Sequence, residues 1–251
     1  MKKTILLIAA CIALCSCEEK QDFTVHHRTP QKMEFVERIL PDGFVIGKNL
    51  PSEAQAIDLG LSVKWANINI GATKLNEPGD DFAWGEIISK KHCTWDNYEF
   101  NEFHPENALC SFDVNALYIL KYCFDRYGER QDLDKGGVPL DKLDDAAYTN
   151  WGGKYRMPTA AEIKELFSKC TWVWNKPDKA WTVTGPNGNS ISLGIGLYWT
   201  STLSELESPF ATNMRIEAKG DDEDDSKEQI IHWFCYDDNR AFGKWIRPVC
   251  E

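Results

Sequence analysis

Positive charge is in short supply. Across 251 residues, 28 Lys and Arg face 39 Asp and Glu, for a formal net charge of −11. A sequence-independent grip on phosphate backbones needs clustered cations, so nucleic acid is excluded as an expected partner. Long apolar runs are also missing: the longest, Ile5 to Leu14, is too short to span a bilayer, which excludes a membrane helix. No period of 20 to 50 residues recurs, which excludes solenoids and propellers. The sequence has no Ser-His-Asp order, zinc motif or phosphate loop, so no catalytic, cofactor-binding or metal-ligating residue is assigned. The five histidines (His26, His27, His92, His104 and His232) are scattered and read as tether, surface or hairpin positions.

What is present begins with an export signal. Lys2 and Lys3 precede the apolar run, and the run ends in Leu14-Cys15-Ser16-Cys17. That boundary resembles the lipobox of bacterial lipoproteins, which implies cleavage before Cys17 and diacylation of its thiol. Two other readings stay open: a match at Ile8-Ala9-Ala10-Cys11, with a shorter apolar segment, and an ordinary secretory peptide. Glu18, Glu19 and Asp22 resemble the acidic export signal of Bacteroidota lipoproteins, implying an outer-membrane anchor that faces the cell exterior.

All ten tryptophans lie between Trp65 and Trp245, and this shift in composition marks the domain. The expected division is a signal peptide over 1–16, a lipidated N-terminus and linker over 17–53, and one domain over 54–251. With 43% hydrophobic residues, the chain has enough apolar material for a packed core. Phe44-Val45-Ile46 reads as an isolated strand within the linker. A first helix is expected from an Asp113 N-cap, with Leu117, Leu120, Phe124 and Tyr127 on one face. A second follows the turn Trp151-Gly152-Gly153: Thr159 and Glu162 form a capping box, and Ile163, Leu166, Phe167 and Cys170 recur at helical spacing. Strands are expected around Leu61–Trp65 and Phe82–Trp84, and as a hairpin pairing 181–184 with 190–193 through the loop 185–189. Further strands are expected at 198–203, 211–218, 229–236 and 244–249. Helices early and strands late give an α+β domain with two helices and a mostly antiparallel, twisted sheet.

Six ordered blocks carry a family resemblance: Ala56-Ile-Asp-Leu-Gly-Leu-Ser-Val-Lys-Trp-Ala-Asn67, Gly79-Asp-Asp-Phe-Ala-Trp-Gly-Glu86, Asp144-Asp-Ala-Ala147, Trp151-Gly-Gly-Lys-Tyr-Arg-Met-Pro-Thr159, Tyr198-Trp-Thr-Ser201 and Trp245-Ile-Arg-Pro-Val249. Together they resemble the Fibrobacter succinogenes major paralogous domain over residues 54 to 250. That family is itself similar to the C-type lectin fold and to the formylglycine-generating, sulfatase-modifying enzymes, so a C-type-lectin-like fold is implied. The chain departs from the family pattern at Ile163, where Trp is usual, at Ile68, where Cys is usual, and in the short segment Gly194-Ile-Gly-Leu197. The resemblance also implies a Cys123–Cys170 disulfide, with Cys93, Cys110, Cys235 and Cys250 unassigned.

Weighed against chemistry, the blocks favour binding over catalysis. The copper-binding cysteine pair of the enzymes would have to be Cys235 and Cys250, fifteen residues apart. Calcium-dependent sugar binding needs an oxygen donor where Lys176-Pro177-Asp178 begins with a cation. Acidic groups occur at Asp80, Asp81 and Glu86, at Asp144 and Asp145, and at 221–225. The last reads as a solvated hairpin tip, and Asp144 and Asp145 as acceptors for loop amides, with calcium the alternative; Arg156 is expected to reach a nearby carboxylate, with Asp144 and Asp145 as candidates, or loop carbonyls. Trp172 and Trp174 are expected to divide, one inward and one outward, the outward ring being a ligand candidate. The resulting expectation is a lipid-anchored surface module without catalytic activity or cofactor. Its partners are the outer-membrane lipid through acylated Cys17 and a surface glycan or protein. The alternatives are a sulfatase-modifying-type enzyme and an accessory subunit of a surface assembly.

Overall fold

The computed structural model describes residues 31–32, 38–103, 117–128, 130–218 and 234–251. The expected anchor at Cys17 and the acidic run 221–225 lie outside them. The fold is mixed α+β and mostly sheet, with two short α-helices among the described residues and antiparallel pairing in all but one of their sheets. The exception is β1 (Gln31–Lys32), which runs parallel to β6 (Arg130–Gln131).

The two ends of the domain meet in a four-stranded sheet. β2 (Ala56–Ile57) pairs with β3 (Lys64–Ala66), β3 with β14 (Val249–Cys250), and β14 with β7 (Tyr155–Arg156). A second sheet orders β10 (Ser190–Gly194), β9 (Ala180–Thr184) and β8 (Thr171–Asn175), with the 185–189 hairpin in the expected register. The third sheet is β11 (Gly196–Leu203), β12 (Phe210–Ile216) and β13 (Phe234–Asn239). Because successive strand residues point to opposite faces, this third sheet feeds two cores. Tyr198, Met214 and Ile216 join Trp65, Ile163, Leu166, Trp172 and Trp181, while Trp199, Leu203 and Ala211 join Trp84, Trp95, Phe100 and Trp151.

The first helix is not where the sequence places it. Within the described residues, Leu117–Ile119 is β5, paired antiparallel with β4 (Asn101–Phe103). Leu117 and Ile119 are buried and alternate with Tyr118, whereas Leu120, needed on the apolar face of a helix, is 57% exposed. The chain then turns at Tyr122, whose φ is +60°. Asp132 accepts the amides of Tyr122 and Cys123 at 2.8 and 2.6 Å and holds that turn. The apolar spacing from 117 to 127 thus reflects a strand and a side-chain-bonded loop.

The helix that does form is α1 (Ala146–Trp151). Asp145 caps it by accepting the amides of Ala147 and Tyr148. It ends at Gly152, φ +67°, where an added Cβ would lie 2.8 Å from the Cα of Gly47. Glycine is therefore required both by backbone conformation and by close approach.

α2 (Ala160–Lys169) forms as expected. Thr159 Oγ1 accepts the Glu162 amide, and the Glu162 carboxylate accepts the Thr159 amide at 2.7 Å, completing the capping box. Ile163, which stands where the resembling family has Trp, is fully buried beside Leu166. Burial of each such side chain contributes about 1.5–3 kcal/mol. Thr159→Ala should cost roughly 0.5–2 kcal/mol in a urea melt, because one amide of the first turn loses its acceptor.

Three further expectations are corrected. Phe44-Val45-Ile46 is a run of turns, closed by Phe44 N–H to Pro41 O and Lys48 N–H to Val45 O. The expected strand 244–249 is reduced to bridges at Lys244 and Trp245 and to β14. The Cys123–Cys170 disulfide is absent: both cysteines are free, Cys123 inside one core and Cys170 against the other. Among the described residues, no helix runs up to Cys123. Cys93 and Cys250 are also free, while the side chains of Cys110 and Cys235 lie outside the described residues.

Residues 38–53 pack on the domain as a strap. Gly47 and Asn49 donate their amides to the carbonyls of Thr149 and Asn150, satisfying the C-terminal end of α1. Arg38, whose side chain is 6% exposed, reaches the domain interior.

Candidate functional site

The acidic residues singled out in the sequence are bound up in structure. Asp144 is fully buried and accepts from Arg38 Nε at 2.6 Å, Lys121 Nζ at 2.5 Å and the Tyr122 hydroxyl at 2.5 Å. Burial, then the neighbouring charge of Asp144, pushes the Tyr122 phenol far above its usual range. Asp145 accepts the amides of Ala147, Tyr148 and Met157 at 2.8, 3.0 and 2.8 Å. Its carboxyl is nonetheless pushed up to about 6, because burial outweighs the three amides. Glu86 takes Lys90 Nζ and the Glu99 amide, both at 2.7 Å. Among the described residues, no group of three His, Cys, Asp or Glu side chains is placed to hold a metal.

Arg156 does not reach Asp144 or Asp145 by a hydrogen bond. It makes a bidentate pair with Glu162, at 2.9 and 2.6 Å, and so ties β7 to the first turn of α2. Glu162 carries the capping box as well, so the guanidinium finds its carboxylate six residues away.

Two buried arginines extend this pattern. Arg240 donates to the carbonyls of Tyr122 and Lys121 and lies over the rings of Trp84 and Tyr98. Arg247 donates to Asn69 Oδ1 and to the carbonyls of Ala66, Asn67 and Ser192, and burial pulls it down to about 10. Each pins separate loops by backbone carbonyls.

The tryptophans are mostly interior, and the expected division of Trp172 and Trp174 is overturned. Residues i and i+2 of a strand share a face. Trp172 stacks on Phe167 at 4.7 Å, and Trp174 meets Trp181 at 5.3 Å. The outward residue between them is Val173, 51% exposed.

An open groove of about 570 Å³ lies at the end of the third sheet, where β11 begins and β12 ends, and another, of about 650 Å³, lies beside Ser62 and α2. Leu197 and Arg215 are cross-strand partners in the first, and Ile195, Glu217 and Tyr236 complete the lining. Arg215 Nη2 and Glu217 form an ion pair at 2.6 Å with half-exposed side chains. Burial, then the charge of Asp238, raises the Tyr236 phenol. Trp181 Nε1 anchors the rim by donating to the Glu217 carbonyl at 2.8 Å. A Cβ on Gly196 would stand 2.1 Å from the Trp245 ring, so glycine is what lets that indole support the groove's edge.

Sequence reasoning missed Arg215, Glu217 and Tyr236. The usable signal was the short Gly194-Ile-Gly-Leu197 segment, which brings little chain to this end of the sheet before β11. The cysteines weighed for copper stand in different sheets, Cys235 in β13 and Cys250 in β14. No protein-family model, curated protein or solved structure matches the chain.

Proposed function

We propose that this chain is a lipid-anchored, non-catalytic binding module of the outer membrane, facing the cell exterior, with a C-type-lectin-like fold. Its ligand is a protein segment seated in the groove at the end of β11 and β12. The observation that carries the binding reading is the groove itself: aliphatic Ile195 and Leu197, the aromatic Tyr236 and the Arg215–Glu217 pair converge on one open surface. That mixture suits an extended protein chain, which brings both apolar side chains and backbone polar groups.

The C-type-lectin-like assignment is supported by the meeting of both chain ends in one sheet and by the sheet that carries Trp199 between two cores. Protein is favoured over glycan because the large hydrophobic side chains exposed on the described surface are all aliphatic, whereas sugars stack on exposed rings. The sulfatase-modifying reading would require Cys235 and Cys250 to converge from two sheets.

Intact-mass analysis of the chain extracted from its membrane should show an N-terminus at Cys17 carrying acyl chains. Protease added to whole cells should release the domain. An unmodified N-terminus at another residue would remove the anchor, and complete protection of the domain would place it on the inner face.

A further inference from the structure

We propose that the strap-side face of the domain rests on the lipid surface in which the acyl anchor sits, a reading that builds on acylation at Cys17. Nine large hydrophobic side chains are exposed on the described surface, and five belong to the strap or its footprint: Ile39, Val45, Leu50, Ile88 and Leu120. The other four are spread over the rest of the domain.

Hydrogen bonds tie together the segments that carry four of them, Ile39, Leu50, Ile88 and Leu120. Arg38 bonds Asp144, Glu99 and the Gly85 carbonyl and lies 5.1 Å over the Phe100 ring, and Lys121 bonds the same Asp144 and lies 5.8 Å over the same ring. Ile39 follows Arg38, and Leu120 precedes Lys121, so the two flank one ion cluster. Ile88 comes three residues after Gly85. The preceding carbonyl, of Ile87, accepts from Asn150, which in turn bonds Asn49 of the strap beside Leu50. In the middle of this face Arg38 and Lys121 are paired with Asp144, Glu99 and Asp141, so the two cations are compensated within the cluster.

Chain length decides the occupant. From Cys17 to Gln31, which is fixed against Arg130, is fourteen residues. No chain of that length reaches beyond about 50 Å, which is comparable with the width of a domain of about 200 residues. The tether thus joins the domain at the face where the chain enters and keeps it within about 50 Å of the bilayer. Exposed Lys48 and Lys91 lie in the same two segments, with exposed Asp42 and Glu53 beside them in the strap.

The test compares three full-length proteins by amide hydrogen exchange. They are the acylated chain on vesicles of phosphatidylethanolamine and phosphatidylglycerol, the Cys17→Ser chain in solution, and an acylated chain with Ile39→Ser, Val45→Ser, Ile88→Ser and Leu120→Ser. These four side chains are 91%, 59%, 54% and 57% exposed, so their replacement leaves the cores intact, which near-ultraviolet circular dichroism checks. Flotation reports anchoring separately from docking. The expected result is that both acylated chains float, and that exchange across 38–50 is slowed about tenfold on vesicles for the native face only. If both float and the native strap exchanges as fast on vesicles as in solution, the anchor stands and the docked face is wrong. Equal slowing in the four-serine chain would also overturn it, since the apolar side chains would not be the contact. Failure of the native chain to float would overturn the anchor and the docked face together.

Discussion

Asp144→Ala is expected to cost about 3–5 kcal/mol in equilibrium unfolding, because removing one partner of a buried ion cluster leaves the other charges uncompensated. Arg38 and Lys121 both lean on this carboxylate, with side chains only 6% and 12% exposed, and the Tyr122 hydroxyl donates to it as well. The loss should be local before it is global. Arg38 would keep only Glu99 and the Gly85 carbonyl, so limited proteolysis within 38–50 should speed up at denaturant concentrations where the cores remain folded. A cost below about 1 kcal/mol would mean that the cluster behaves as an exposed ion pair, contrary to its burial.

Asp145→Ala should be of similar size, about 3–5 kcal/mol, for a different reason. Its carboxylate is the acceptor for three amides, those of Ala147, Tyr148 and Met157, and leaving a buried donor unsatisfied costs about 1–3 kcal/mol. The same residue has a pH signature. Its carboxyl is pushed up to about 6 in the folded chain, above the value near 3.9 of an unfolded aspartate, so the folded state binds the extra proton between those limits. The associated stability is fully present below about pH 4 and is lost as pH rises through about 6, a swing on the order of 2–3 kcal/mol. Asp145→Asn removes this titration, so the stability advantage of the native chain over the Asn variant should narrow from pH 4 to pH 7. Urea melts at a series of pH values check it, and an advantage that widens over that range would reverse the assigned shift.

What could be read from the sequence was what local chemistry controls. The capping box Thr159–Glu162 satisfies its own amides within four residues, and the hairpin around 185–189 carries its turn residues between alternating strands, so both forecast themselves. The misplaced first helix shows the limit. Leu117, Leu120, Phe124 and Tyr127 have helical spacing, but strand pairing with Asn101–Phe103 and the grip of Asp132 on the Tyr122 turn come from residues outside that window. Arg156 illustrates the same limit in reverse: it reaches a nearby loop carbonyl, that of Met157, as expected, but its carboxylate is Glu162 on the next turn of chain and not Asp144 or Asp145. The groove was hidden for a related reason. Leu197, Arg215 and Tyr236 come from three strands and meet only through sheet register, which no local pattern encodes.

The central claim is that the groove at the end of β11 and β12 seats a protein partner at the cell surface. The most direct measurement places a photo-crosslinking residue at Leu197 in cells and, as a control, at the exposed Lys64 in β3. The account predicts one discrete protein adduct from position 197, absent from position 64 and lost when Arg215→Glu and Tyr236→Ala are added. Adducts of equal yield from both positions, or none from 197 while a glycan array binds the chain, would contradict it.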